Sequence, residues 1–171
     1  MTPLKNLLEW LLEWATILLM IGLTAIVIIA VIWRLMGESF SWYDEVAAIG
    51  LAWVTYYGAA LAALKRRHIG FDSVLLAMPP RMRMGAALFA ECVILAFFVL
   101  LAWAGITVLQ VLEGDTLDAL TWVPVQLTQS VIPIGAILFI VAQLLSMPDY
   151  LRSVRDGVSL EHPEIHEEEK A

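Results

Sequence analysis

Charge is scarce in this sequence: 16% of its 171 residues are Asp, Glu, Lys or Arg, against about a quarter in an ordinary soluble domain. Cysteine is scarcer. Cys92 is the single one, which excludes a disulfide framework and a Cys-based metal cluster. The three histidines, His68, His162 and His166, all fall outside the apolar stretches, so no facing pair of axial ligands exists for an intramembrane haem. A Gly-rich phosphate loop, a paired-Cys motif and an HExxH sequence are all missing, and nucleotide and zinc readings go with them. His162 and His166 stand four apart in a Glu-rich segment, which reads as a solvated tail rather than a metal site. Basic residues are outnumbered 17 to 10, and the net charge of −7 argues against nucleic acid as a partner. No clustered set of acid, base and nucleophile is present. The expectation is no cofactor, no resident metal and no enzyme.

Apolar residues are abundant instead, at 61%. They are gathered into blocks over about 14–33, 46–64, 85–112 and 119–148, each long enough for the roughly 20 residues that a membrane-crossing helix needs. Pro124 and Pro133 divide the last block, which places its crossing helix at about 128–147 and leaves 119–127 as a lead-in at the interface. The sequence therefore predicts an all-α polytopic membrane protein with four spans, about 15–33, 46–64, 86–112 and 128–147, in a membrane domain over 15–148. The first block is too long for a signal-peptide core and is followed by Trp33-Arg34-Leu35-Met36 rather than a small-residue cleavage site, so it reads as a retained span. Lys5, Lys65, Arg66, Arg67, Arg81, Arg83, Arg152, Arg155 and Lys170 share one side of such a topology, and Arg34 stands alone on the other. The bias predicts that both termini are cytoplasmic.

Ahead of the first span, residues 1–14 contain Leu7-Leu8-Glu9-Trp10-Leu11-Leu12-Glu13-Trp14. At 100° per residue, Lys5, Asn6, Glu9 and Glu13 occupy one narrow arc and Leu and Trp fill the rest. This is the pattern of a helix lying in the membrane interface, with Trp10 and Trp14 as anchors; a plain extension of the first span is the alternative. Residues 149–171 form an acidic tail.

Glu91 is the one carboxylate well inside a span. Such acids are costly and mark function by default. It lies about 10 Å along its helix from the basic side, within reach of the Lys65–Arg67 cluster, so a structural ion pair competes with a proton or ion role. Small residues crowd the second span at Ala48/Ala52, Gly58/Ala62 and Ala59/Ala63, spacings that allow helix backbones to approach closely. The two halves show no internal repeat of the kind found in many carriers.

Three ordered patterns resemble the small membrane (Q-type) subunit of tripartite ATP-independent periplasmic (TRAP) transporters. They are Phe40-Ser41-Trp42-Tyr43-Asp44-Glu45 opening the second span, Tyr57-Gly58-Ala59-Ala60 running on to Lys65-Arg66-Arg67-His68-Ile69-Gly70-Phe71-Asp72 at its close, and Gln129-Ser130-Val131-Ile132-Pro133-Ile134-Gly135 at the start of the last. The resemblance implies a scaffold that braces a large permease subunit in the bacterial inner membrane. That larger subunit would carry the sodium and substrate sites, and a periplasmic substrate-binding protein would deliver an organic acid to it. Besides membrane lipid, these two proteins are the implied partners. The matched residues Trp42, Asp44, Glu45, Arg66, His68, Asp72, Pro133 and Gly135 become candidates for partner contact or structural support. Asp44 and Glu45 suit a helix N-terminus, and Asp72 could fix the turn by binding Arg66 or His68. The competing reading is an independent small proton-coupled carrier that uses Glu91.

Overall fold

The computed structural model describes residues 3–38, 40–66 and 78–156, with the side chains of 80 and 81 left aside. The described chain is all helical apart from its connections. Helix α1 spans Pro3–Leu35, α2 Tyr43–Lys65, α3 Pro80–Val111, the short α4 Val125–Gln129 and α5 Val131–Asp156. Four segments are long and apolar enough to cross a membrane, with α4 and α5 counting together as the last.

Local chemistry sets the ends. Helix α1 stops in a Schellman motif: Glu38 N–H donates to Trp33 C=O at 3.2 Å and Gly37 N–H to Arg34 C=O at 3.2 Å. Gly37 holds φ 90° there, a conformation that favours glycine. Pro79 and Pro80 open α3 as N-cap and first helical residue, the position where a missing N–H costs nothing. Pro133 accounts for the break between α4 and α5. Its ring excludes the carbonyl of Gln129, four residues back, and α4 ends at that residue.

Residues 3–14 are not separated from the first span. From Pro3 onward the two form one uninterrupted helix of 33 residues, about 50 Å long. The interfacial pattern of Trp10 and Trp14 is therefore carried on the first turns of α1. Both side chains are exposed, with ring centroids 6.4 Å apart. The last helix likewise runs past the expected span end and takes in residues 149–156 of the acidic tail. The remainder of that tail, with His162, His166 and Lys170, lies outside the described residues.

The helices pack in the order α1, α2, α5, α3, so that α5 sits between α2 and α3 and α1 closes the other edge. The core follows from that order. Leu12 of α1, Ala60, Ala63 and Leu64 of α2, and Phe139 and Ala142 of α5 form one buried cluster, extended by Phe98 of α3. Phe98 and Phe139 stack in parallel with centroids 3.6 Å apart. In lipid no hydrophobic drive brings helices together, so close packing of small residues has to. Two glycines make the closest approaches. A Cβ on Gly135 would stand 2.7 Å from Tyr56 Cβ, and one on Gly105 would stand 2.9 Å from Pro133 Cδ. Thus Pro133 lies against Gly105 of α3 and Gly135 against Tyr56 of α2.

Candidate functional site

The polar chemistry of the described residues is concentrated at one end of the helix row. Helix α2 closes at Arg66, whose backbone is left-handed, with φ 52° and ψ 34°. A side chain with a Cβ takes that conformation at a cost of about 1–2 kcal/mol, and here the side chain supplies the compensation. Its guanidinium pairs with the Glu91 carboxylate of α3. It also donates to Ser146 Oγ at 2.8 Å and to the Gln143 carbonyl at 3.2 Å, both on α5. The Tyr150 ring lies beneath it, 4.5 Å from the guanidinium carbon, within cation–π range.

Around the pair, the amide of Gln143 donates to the second Glu91 oxygen at 2.8 Å, and the Ser146 hydroxyl faces the Ala63 carbonyl at 3.1 Å. Glu91 and Gln143 are 2% and 3% exposed, so the pair is desolvated. Both oxygens of Glu91 are engaged, which satisfies the demand that buried charge be paired. Gln143, Ser146 and Tyr150 were not singled out from sequence. Their spacing puts all three on one face of α5, and that periodicity among otherwise apolar residues was the available signal.

A second layer of ion pairs joins the same helix ends. Lys65 binds Glu13 and lies 3.3 Å from Glu9, tying α2 to α1. Lys5 lies 3.0 Å from Asp149, tying α1 to α5. Lys5, Glu9 and Glu13 of the N-terminal polar arc therefore face protein. These partly exposed pairs are each worth about 1 kcal/mol and mainly set the register of helix ends. His68 and Asp72 lie outside the described residues.

At the opposite end, Glu45 does more than complement the helix dipole. Its carboxylate accepts from Asp118 N–H at 3.1 Å and from Ala119 N–H at 3.1 Å, which pins the loop between α3 and α4 to the start of α2. That loop is further ordered by Leu117 N–H to Val123 C=O at 3.1 Å and Val125 N–H to Asp115 C=O at 3.0 Å. Asp44 beside it is exposed. Trp42 forms the N-cap of α2 and packs at a tilt against Phe40, which in turn packs at a tilt against Trp33, each with centroids 5.4 Å apart. Glu45→Ala is expected to speed hydrogen exchange at the Asp118 and Ala119 amides by about tenfold or more, since bonds to a charged acceptor contribute about 1.5–3 kcal/mol. Asp44→Ala is expected to leave those amides unchanged.

Two hollows accompany these sites. One, about 560 Å³, lies between α1 and α2 and is lined by Leu19, Gly22, Ile26, Ile49, Gly50 and Trp53 among others. With almost wholly apolar walls it could not solvate a carboxylate. The other, about 500 Å³, sits beside the outer loop and is lined by Glu45, Asp115 and Asp118, whose charge repels an organic anion. Among the described residues no group of His, Cys, Asp and Glu is arranged to hold a metal ion.

A row of apolar helices fastened at both ends, whose deepest charge is already neutralised by its neighbour, defines a multi-pass membrane protein built to hold its own geometry. The family model described as tripartite ATP-independent periplasmic transporters, DctQ component, matches residues 23–152. The chain belongs to this family, and so is a small permease component of a TRAP transporter, as the three ordered motifs imply. The family is one of transporter components rather than enzymes. No match was found among curated proteins.

Proposed function

We propose that this chain is the fixed member of a three-part, sodium-driven organic-acid uptake system. It braces a large permease subunit in the bacterial inner membrane with both termini in the cytoplasm. In this reading the large subunit carries the sodium and substrate sites and moves, and a periplasmic binding protein brings the organic acid. The observation that carries the proposal is the buried Arg66–Glu91–Gln143–Ser146 network. It joins α2, α3 and α5 at the end of the row that bears most of the basic residues, where it resists sliding of one helix past another.

An independent proton-coupled carrier would need Glu91 to release and regain a proton on each cycle, breaking its contacts with Arg66 and Gln143 each time. The two readings part at one substitution. Glu91→Gln should weaken coelution of the chain with a coexpressed large permease subunit, or change little. A proton-coupled carrier would instead keep its assembly and lose the dependence of uptake on a pH gradient.

A further inference from the structure

Among the described residues, the buried charge without an oppositely charged partner is Arg83. It lies near the start of α3 and is 8% exposed. Among the described residues its guanidinium has one hydrogen bond, from a terminal nitrogen to the Arg155 carbonyl of α5 at 3.2 Å. Its Nε is buried without an acceptor, and no carboxylate among the described residues pairs with it. The acids on the neighbouring helix end are engaged elsewhere: Asp149 with Lys5 and Asp156 with Arg155. Arg152 and Arg155 add further positive charge there.

The partial negative charge at the C-terminus of α5 offsets about half a unit of the Arg83 charge. A buried guanidinium with an idle N–H still calls for an anion. Depth identifies which kind. Helix α3 has 32 residues, about 48 Å, so a hydrocarbon layer of about 30 Å leaves roughly 9 Å beyond each face of a centred helix. Arg83 is then at headgroup level, whereas Glu91 is inside the apolar layer. The planar guanidinium edge matches two oxygens of a phosphate.

We infer that Arg83, at the junction of the α3 N-terminus and the α5 C-terminus, binds the phosphate of an anionic phospholipid headgroup. The site is independent of the transport role proposed above. It is tested on the full-length chain, delipidated in a neutral detergent, by the rise in melting temperature when dioleoylphosphatidylglycerol, dioleoylphosphatidylcholine or inorganic phosphate is added. The wild-type chain should respond to phosphatidylglycerol at concentrations about ten- to a hundredfold lower than Arg83→Gln does. Arg83→Lys, which keeps the charge against α5, guards against misfolding of the first variant and should be intermediate. Phosphatidylcholine should be the weaker lipid. A comparable rise with inorganic phosphate alone would keep the phosphate site and assign it to the free ion. Equal responses to phosphatidylglycerol in wild type and both variants would overturn the inference. So would a chain lacking 157–171 that alone shows the lipid response, since the acidic tail would then be the natural occupant.

Discussion

Arg66→Ala is expected to destabilise the chain by about 3 kcal/mol or more, because it leaves the Glu91 carboxylate buried without its cation. Reversible unfolding in mixed micelles would measure the loss. Two further variants separate its parts. Replacing both residues, Arg66→Gln with Glu91→Gln, removes the net charges and leaves groups that can still hydrogen-bond, so most of the loss should be recovered. Arg66→Gly should be less harmful than Arg66→Ala by about 1 kcal/mol, since the left-handed backbone at this position is unstrained for glycine. A neutral Arg66→Ala would show that the network contributes nothing to holding α2, α3 and α5 together.

Gly135→Ala carries the second large effect. In an open helical position the exchange would stabilise by about 1 kcal/mol, through the better helix propensity of alanine. Here the new methyl would meet Tyr56 Cβ at 2.7 Å. That atom is fixed to the α2 backbone, so the helices themselves must part, at an overpacking cost of about 1–3 kcal/mol. Gly58→Ala is the matched control: nothing lies within 4 Å of its added Cβ, and it should be neutral or slightly stabilising. Opposite signs at two glycines of similar helical setting would locate the α2–α5 contact at Gly135. Equal gains at both would move that contact elsewhere.

The spans were legible because the hydrocarbon layer imposes length and composition on any helix that crosses it, and no tertiary contact can override that demand. The ordered motifs were legible too, although as a resemblance. Less readable was the order of the helices, since the small-residue face of α2 suits several neighbours equally. Glu91 was conspicuous as a lone carboxylate, and the Lys65–Arg67 cluster lay within reach. Which of those three cations would meet it depended on the left-handed backbone at Arg66, a state that an arginine does not announce. Lys65, the adjacent residue, turns to Glu9 and Glu13 on the other side of α2. The polar arc of the N-terminal segment was visible, yet periodicity alone does not distinguish an arc facing headgroups from one facing a lysine. Gln143 and Ser146 were hidden because single neutral polar residues in a span carry little signal until a charge is placed beside them. Glu45 had an adequate local explanation in the helix dipole, which concealed its hold on the loop more than 70 residues away.

The proposed role as a fixed brace is tested most directly by reconstitution. The purified chain is placed in proteoliposomes alone, then together with a large permease subunit and a periplasmic binding protein loaded with organic acid, under an inward sodium gradient. The account predicts no uptake above empty vesicles for the chain alone and uptake only when the large subunit is present. Sodium-driven or proton-driven accumulation by this chain without another subunit would contradict it.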